Sequence, residues 1–459
     1  MKSVLLVTTY FAPDNTIAAI RTTKLVKYMI KDGYNVDVVA VRNNNLGKDK
    51  ILYNDVKSVK VKYVENSKQY KSFEKQIYKI FGSIREKKFS DLSDRKRYNK
   101  KSGKIEFYPF ETAHPWIASV FYGLAMLKEY DLYCTIKDKI KTFKQYDFMV
   151  TSYGDEFCYY FGKKYHKIYP ETKWIFDVRD AIYRYKFIPD PLSFIPLHIE
   201  RVAWRQADVI IGISKGICMR VDEKNRKKVH LVTNGYDRGD RIKHDKKVSP
   251  DKLTFVFTGS MYGGTIDLSV FFKVLRELID NGNIDSNKIK IDFAGTESAA
   301  DIFISQASKY DMEYLIVNHG KVERKSALRL QECADVLLAP SYDYENGNGG
   351  IITGKIFEYM TAEKPVIAII TGDIQHSELA EIVRKTNIGF AYEEAHNDID
   401  YKKLYQYVLN LYKEKILLGV LSYKPNIEEL KKFDYKYLSK KFMRIMDPNY
   451  NKNMRGQNE

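Results

Sequence analysis

Short, continuous runs of apolar residues recur along the whole chain, separated mostly by segments of helix length. The first run, Val4–Thr9, is followed by a helical pattern that places Ala18, Leu25 and Met29 on one face, and then by a second run, Val36–Val41. Runs that are apolar throughout, without alternation, are typical of strands buried on both faces. Their alternation with helices predicts parallel, doubly wound α/β sheets.

The apolar runs fall into two series, on either side of the turn dipeptide Asn234-Gly235 and the polar stretch that follows it. The first series continues with Asp147–Ser152, Trp174–Val178, Asp208–Ile213 and Val229–Val232; the second comprises Leu253–Thr258, Ile289–Ala294, Tyr314–Asn318, Asp335–Ala339, Pro365–Ile370 and Ile388–Tyr392. A chain of 459 residues is also too long for one ordinary core. We therefore expect two Rossmann-like domains, 1–235 and 250–430, facing each other across a cleft. A terminal helix in 431–459 is expected to pack back on the first domain.

Ligands of such sheets bind outside the carboxyl ends of the strands, and pockets concentrate between domains. This rule predicts that the segments following the strands line a ligand site: Thr9–Asp14, Ser152–Asp155, Arg179–Asp180, Gly259–Tyr262, Gly295–Ser298 and Pro340–Gly350.

The segment Gly349–Glu358 is the strongest candidate for a binding site. Its glycines let the backbone approach a ligand, and the helix that follows offers free N–H groups and a dipole suited to phosphate. Lys355 adds a positive charge, and Glu358, one turn later on the same face, could accept hydrogen bonds from sugar hydroxyls. A ribose diphosphate would suit this set; a glycine-rich loop beside a surface ion pair is an equally good account of these residues alone.

Two rival nucleotide-binding motifs are incomplete. Residues 349–355 fit the GxxxxGK core of a P-loop, but Ile356 stands where Ser or Thr would hold Mg²⁺. Neither Val4–Thr9 nor Leu253–Thr258 is followed by the GxGxxG of dinucleotide-binding enzymes.

The stretch Gly354–Ala368, GKIFEYMTAEKPVIA, resembles the "GK-[LI]-FEY-x-A-x-GKPVIA" signature of the family 4 glycosyltransferases, with Glu363 replacing a glycine. Shorter matches occur in the family's order along most of the chain: Tyr10–Pro13 with Arg21, Phe176–Asp180, Ala207–Lys215, Asn234–Asp237, Phe257–Ser260 and His319–Val322. The resemblance implies the GT-B fold and transfer of a sugar from a nucleotide donor, with retention and without a metal ion. The donor is expected to be a UDP- or GDP-sugar used as co-substrate, with no other cofactor.

The resemblance also assigns roles to residues of the second domain. Glu358 would bind the donor ribose, the backbone near Val322 would meet the base, and Gly350, Ile351, Ile352 and Lys355 would face the diphosphate or the sugar. The family often has a second Glu at the position of Gly350. It also has an Arg and a Lys that clamp the diphosphate after the first strand of the second domain; here that region contains Ser260, Met261 and Thr265 instead. Phosphate binding is therefore expected to depend on Lys355 and backbone amides.

The first domain contributes acceptor-side candidates. Arg21 begins a helix at the predicted cleft and could meet acceptor or phosphate, or be a surface arginine; Asp14 lies in the loop before it. Arg179 and Asp180 end a strand and either act in the site or pair with each other. His114 could stabilise the sugar from the acceptor side, although a lone histidine is more often a packed or solvent residue.

The net charge of +17 is concentrated in an insertion at about 48–110, where residues 48–104 hold 18 Lys/Arg against 7 Asp/Glu. Within it, Phe73, Ile77, Phe81 and Ile84 recur at helical spacing beside a strip of lysines: Lys71, Lys75 and Lys79. A basic amphipathic helix can lie on an anionic membrane, or simply pack on its own domain. If it binds membrane, a glycan or polyprenyl-linked acceptor at the cytoplasmic face is expected.

Other classes of protein are disfavoured. The first apolar run is too short for a signal peptide, and the longest, Pro115–Leu127, falls short of the ~20 residues that span a bilayer. Four scattered cysteines suit reduced thiols in a cytosol, and eight histidines form no HExxH or paired zinc spacing, so no metal site is expected. The chain is therefore expected to be cytoplasmic, peripheral at most.

Two competing functions remain open. A nucleotide-sugar epimerase would use the same fold without an acceptor. A non-catalytic membrane- or nucleic-acid-binding protein would suit the charge, although the basic residues form no recognised nucleic-acid-binding motif.

Overall fold

A computed structural model describes most of the chain. Outside its description lie residues 45 and 193 and the segments 90–95, 100–103, 108–114, 181–191, 242–250, 262–265, 344–351 and 452–459; no side chain is described between residues 81 and 118. Two compact units divide the chain, with residues 1–233 and 439–459 in unit 1 and residues 234–438 in unit 2.

Unit 1 is built on a seven-stranded, all-parallel sheet in the order β3-β2-β1-β6-β7-β8-β9. Its strands are β1 (Ser3–Thr8), β2 (Asn35–Val41), β3 (Lys60–Val64), β6 (Phe148–Tyr153), β7 (Lys173–Val178), β8 (Val209–Gly212) and β9 (Val229–Leu231). The α-helices described in this unit are α1 (Ile17–Lys31), α2 (Lys50–Asp55), α3 (Lys68–Phe89), α4 (Pro115–Ile136), α5 (Glu156–Ile168), α6 (Phe194–Gln206) and α7 (Lys215–Met219). A separate antiparallel pair joins β4 (Lys96–Asn99) to β5 (Lys104–Phe107).

Unit 2 repeats the plan with a six-stranded parallel sheet in the order β12-β11-β10-β13-β14-β15. Its strands are β10 (Leu253–Thr258), β11 (Ile289–Ala294), β12 (Ile316–Asn318), β13 (Val336–Tyr342), β14 (Val366–Thr371) and β15 (Gly389–Glu393). The described helices are α8 (Ser269–Asp280), α9 (Glu297–Ser308), α10 (Arg324–Glu332), α11 (Lys355–Ala362), α12 (Glu378–Thr386), α13 (Asn397–Leu418) and α14 (Ile427–Lys431). The predicted fold class, two Rossmann-like parallel α/β sheets, is confirmed.

The buried strands explain why the apolar runs located this architecture. All six residues of β10 are buried, as are all six of β6. Helix α8 covers one face of the second sheet with Phe271, Phe272 and Leu278, each fully buried. Burial of aromatic and aliphatic side chains on both faces is the main stabilising contribution in sheets of this kind.

Strand β3 is the strand of the parallel sheets that the sequence pattern missed. It lies inside the predicted basic insertion, yet it pairs in parallel with β2 along Lys60–Val64. Lys60 and Lys62 interrupt its apolar character because β3 is the edge of the sheet and only Val64 is buried. The polarity of an edge strand hides it from a search for apolar runs.

The residues after the last helix, α15 (Tyr435–Met446), contact unit 1 near the starts of β1 and β2. Asp447 accepts hydrogen bonds from Lys2 Nζ at 2.7 Å and from the Tyr34 hydroxyl at 3.0 Å. Tyr450 donates to Asp32 at the end of α1. These contacts attach residues 439–451 to unit 1.

Within the described part of the chain, no helix is both long and apolar enough to cross a membrane. The most apolar long helix of unit 1, α4, carries charged residues such as Glu129 and Asp131 in its second half.

Candidate donor-binding site

The candidate site lies at the carboxyl edge of the unit 2 sheet, where the strand order changes direction. Strands β10 and β13 are neighbours there, although two strands separate them in the sequence. Gly259 follows β10 directly, and α11 is the first described helix after β13. Helix α10, which follows β12, contributes side chains to the same edge. Such reversal points are where doubly wound sheets bind ligands.

Glu358, in the first turn of α11, is the centre of the cluster. Its Oε2 accepts a hydrogen bond from Lys355 Nζ at 2.8 Å and another from Gln331 Nε2 at 3.3 Å. Gln331 also donates to the Thr258 hydroxyl at the end of β10, at 2.8 Å. The Glu358 side chain is only 15% exposed. The Lys355–Glu358 contact is therefore not the exposed surface ion pair that was one of the two interpretations of the sequence. The network ties α11, α10 and β10 together.

The environment keeps the Glu358 carboxylate ionised. Burial by itself raises the pKa of a carboxyl, but the positive charges of Lys355 and Arg324, with the hydrogen bonds from Lys355 and Gln331, outweigh it and lower the pKa of Glu358 to about 2. Glu358 is thus a fixed hydrogen-bond acceptor throughout the physiological range and is unsuited to hold a proton.

Arg324 is the site residue that sequence reasoning missed. Its Nε lies 3.7 Å from Glu358 Oε1, and its Nη2 lies 3.6 Å from Asp240 Oδ2, with only 10% of the side chain exposed. Arg324 and Gln331 are seven residues apart on α10 and therefore share one face. The signal available in the sequence was the position of Arg324, two residues after Val322 and at the start of a helix that follows a strand.

Two glycines allow close packing at this edge. A Cβ on Gly259 would lie 3.3 Å from Lys355 Cε, and a Cβ on Gly295 would lie 2.5 Å from the Gly259 carbonyl oxygen. The small residue after β10 therefore leaves room for the Lys355 side chain to cross the strand end. The Lys355 side chain remains 26% exposed and accessible to a ligand.

The other predicted donor residues take these positions. Ser260 is exposed, two residues after β10; Val322 is half-buried, two residues before Arg324; and Ile352 is partly buried against the core under α11. Gly350 and Ile351 lie outside the described residues. Gly354 is the N-cap of α11, and no side chain forms a capping hydrogen bond there.

Arg21 of unit 1 does not occupy the exposed position expected for it. It is the fifth residue of α1, not the first, and is 1% exposed. Its Nε and Nη2 donate to the two carboxylate oxygens of Asp177 at 3.1 and 2.6 Å, and its Nη1 donates to the Thr233 carbonyl at 2.8 Å. The guanidinium is buried because a partner on β7 neutralises it, which the sequence spacing does not reveal.

Two of the remaining unit 1 candidates, Arg179 and Asp14, are buried beyond the carboxyl ends of β7 and β1. Arg179, 5% exposed, lies over the Tyr10 ring at 5.7 Å and 3.8 Å from Asp155. Its ion-pair partner is therefore Asp155, not the adjacent, exposed Asp180. Asp14 is buried and accepts from Lys48 Nζ at 2.8 Å and from Asn43 Nδ2 at 2.9 Å. His114 lies outside the described residues.

No family model matches the sequence, and no curated protein matches it either. Solved structures do match over nearly the whole chain. Sucrose-phosphate synthase from Thermosynechococcus elongatus is 11% identical with a TM-score of 0.58, covering 97% of this chain and 98% of its own. A TarM variant from S. aureus, in complex with UDP, fondaparinux and alpha-GlcNAc-glycerol, is 10% identical with a TM-score of 0.55, covering 97% and 100%.

A third match is a Listeria monocytogenes protein assigned as a UDP-N-acetylglucosamine 2-epimerase, which is 7% identical with a TM-score of 0.51, covering 98% of both chains. At these identities the likeness establishes the fold alone. It is a fold shared by proteins named as a sucrose-phosphate synthase and as a 2-epimerase.

Proposed function

We propose that the chain is a glycosyltransferase that moves a sugar from a UDP- or GDP-sugar to a glycan or lipid-linked acceptor, with retention at the anomeric carbon and without a metal ion at the donor. The carrying observation is the Glu358 cluster: an ionised, mostly buried acceptor beside an accessible lysine at the reversal point of a parallel sheet. The fold shared with TarM, whose structure holds UDP and glycan ligands, supports the same proposal.

The donor fits the cluster by its chemistry. A ribose has two hydroxyl groups that can donate hydrogen bonds to a carboxylate such as Glu358. A diphosphate is negatively charged and can form an ion pair with Lys355. In the described state, Lys355 and Glu358 satisfy each other at 2.8 Å. We propose that the donor displaces this contact, so that Lys355 turns to the diphosphate while Arg324 and Gln331 continue to hold Glu358.

The reaction needs charge stabilisation more than a protein nucleophile. The bond between the anomeric carbon and the diphosphate oxygen breaks, and negative charge develops on the leaving diphosphate, where preorganised donors are most effective. The bond from the acceptor hydroxyl oxygen to the anomeric carbon forms on the same face. The departing phosphate oxygen takes the proton from that hydroxyl. The protein then contributes orientation and positive charge, from Lys355 and the uncapped start of α11.

The acceptor is proposed to bind at unit 1. Arg179, Tyr10 and Asp155 provide a cation, a ring and a carboxylate at one sheet edge. Arg179 Nε and Nη2 are buried and donate no hydrogen bond to any described residue, so an anionic or hydroxylated ligand could accept from them. We propose that His114, from the same unit, contacts the transferred sugar.

A membrane-associated acceptor is supported by the surface of α3. Of the predicted apolar face, Phe73 is 43% exposed and Ile77 is half-buried, whereas the side chains of Phe81 and Ile84 lie outside the described residues. Tyr78 and Ile80 are 46% and 59% exposed, and the lysines of the strip are exposed as well. The helix also packs on its own unit, because Tyr70 is buried and donates to the Leu124 carbonyl, and Tyr78 contacts the Phe121 ring. The helix thus packs on its own unit through Tyr70 and Tyr78, and we propose membrane contact only for the exposed residues that remain.

The deciding experiment offers the purified chain a panel of UDP- and GDP-sugars with and without candidate acceptors, and follows nucleotide release and product mass. Acceptor-dependent release of UDP or GDP with a retained linkage supports the proposal. Isomerisation of the donor without acceptor would identify an epimerase instead. A chain that binds none of the donors by thermal shift would not be a nucleotide-sugar enzyme.

A further inference from the structure

Two histidines and a glutamate lie close together at the carboxyl ends of β14 and the edge strand β15 of unit 2. The proposed donor site does not use these residues. His376 lies in the loop after β14, Glu393 is the last residue of β15, and His396 closes the 3-10 turn Glu394–His396. One potential ligand atom from each lies within 4.8 Å of the others. His396 Nδ1 is 3.6 Å from Glu393 Oε2, and the two imidazole rings are 5.0 Å apart between centroids.

Glu393 is the residue that points to a ligand. Its side chain is completely buried, and its Oε1 accepts a hydrogen bond from the Ser377 amide at 2.6 Å. Its Oε2, also buried, receives no hydrogen bond from any described residue. The half-exposed Arg384 forms an ion pair with it at a longer distance, with Nη1 3.7 Å from Oε2. A buried carboxylate oxygen left in this way is unfavourable unless a cation or donor completes it.

The donor set is of the kind that selects a borderline transition ion. Imidazole nitrogens with one carboxylate oxygen suit Zn²⁺ and its neighbours, whereas Mg²⁺ and Ca²⁺ prefer oxygen ligands throughout. We propose that His376, Glu393 and His396 form a Zn²⁺-class site with the remaining coordination positions open to water. The carboxylate is already oriented by the Ser377 amide, as supporting hydrogen bonds orient metal ligands elsewhere.

The geometry requires only a small closure. Ligand atoms around a tetrahedral Zn²⁺ are about 3.3 Å apart, given bonds of about 2.0 Å. The Glu393–His396 separation of 3.6 Å is close to this value, so most of the closure falls to His376. His376 is exposed, which leaves its side chain room to turn and gives the ion an entry path. Bound metal would fasten the loop after β14 to the turn after β15.

The spacing of the three residues explains why sequence analysis did not predict this site. Glu393 and His396 form an E-x-x-H pair, but the third ligand is 17 residues earlier and in a different loop. The parallel pairing of β14 with β15 places both strand ends at one edge and so brings the ligands together.

The test is calorimetric titration of ZnCl₂ into the metal-stripped full-length protein, with the variants H376A and H396A. A matched control is H198A, which removes an exposed histidine of α6 and, like the others, leaves all four cysteines in place. We expect one saturable Zn²⁺ site in the wild type and in H198A, at least tenfold weaker binding in both H376A and H396A, and no comparable binding of MgCl₂. Added Zn²⁺ should raise the unfolding temperature of the wild type and H198A more than that of H376A.

Both test histidines are at least partly exposed, so their removal is not expected to unfold the domain; circular dichroism checks this. Unchanged Zn²⁺ affinity in H376A and H396A would overturn the site. An equal loss in H198A would show adventitious binding to surface histidines and would overturn it too. Donor binding is not part of this readout, so the metal site and the proposed transferase activity fail or succeed separately.

Discussion

Replacing Glu358 with Gln is the most direct probe of the proposed donor site. The substitution keeps the shape of the side chain and one carbonyl acceptor, but it removes the charge that Lys355 and Arg324 surround. Hydrogen bonds to a charged group contribute about 1.5–3 kcal/mol. Loss of such bonds to the ribose hydroxyls corresponds to about 10- to 100-fold weaker nucleotide binding. The two cations left without Glu358 would attract the diphosphate more strongly, which places the expected net loss for UDP or GDP near tenfold.

The assay compares the nucleoside diphosphate that binds with its matching nucleoside. The nucleoside retains the ribose but lacks the phosphates, so Glu358→Gln should weaken it at least as much as it weakens the diphosphate. Since the pKa of Glu358 is lowered to about 2, the difference between wild type and variant should be constant from about pH 5 to 9. Glu363→Gln is the matched control: it makes the same exchange at the opposite end of α11, at a residue paired with Arg241 and 44% exposed.

A folded Glu358→Gln variant whose nucleoside and nucleotide dissociation constants both stay within twofold of the wild type would refute the role of Glu358.

The stability of the variant tests the lowered pKa of Glu358 independently of ligand binding. A carboxyl with a lowered pKa stabilises the fold above its unfolded pKa of about 4.5, and this contribution is lost as the pH falls towards 2. The acid-dependent part of unfolding should therefore be smaller in the variant even where ligand binding is not measured.

Four further outcomes are expected. Lys355→Met should weaken the diphosphate by about tenfold or more while leaving the nucleoside unchanged, because a charge-assisted phosphate contact is lost; titration of both ligands checks this. Burial, together with the charges of Asp155 and Glu156, raises the pKa of Glu129 to about 8, so wild-type stability should fall as the pH rises from about 5 to 8, and Glu129→Gln should abolish that slope in thermal melts. Lys415→Met should destabilise unit 2 by about 3–5 kcal/mol in denaturant titrations, because it leaves Asp335 unpaired in the interior. Flotation with anionic vesicles at moderate salt should recover the chain and lose it when the α3 lysine strip is changed to alanine; absence of wild-type binding would exclude the membrane role.

The sequence predicts best those strands that are buried on both faces of a sheet. Strands such as β10 and β11 are buried on both faces, so most of their residues are apolar. The runs Leu253–Thr258 and Ile289–Ala294 are therefore predicted with their observed bounds. The edge strand β3 has no such requirement and is missed. Its two lysines obey the rules of an exposed edge, which resemble those of a loop.

The candidate site divides along a similar line. Lys355 and Glu358 are three residues apart on one helix, so their contact follows from the helical repeat. Arg21 and Asp177 are separated by 156 residues, and only the order of strands in the sheet brings them together. A sequence pattern that selects Arg21 as functional therefore cannot distinguish a ligand-facing cation from one neutralised in the core.

Arg324 bears on the departure from the family pattern noted at Ser260. The resemblance leads one to expect clamping cations immediately after β10, and none is present at Ser260 or Met261. In unit 2 a buried cation reaches the Glu358 carboxylate from α10 instead, at 3.7 Å, while Asp240 holds its other end. We infer that positive charge lost from one strand end is supplied from the neighbouring helix. The signature glycine replaced by Glu363 follows the same logic: its backbone keeps the left-handed conformation that favours glycine, with φ of 54°, and the side chain gains an ion pair with Arg241. The geometry of the helix end is retained although the residue that usually provides it is not.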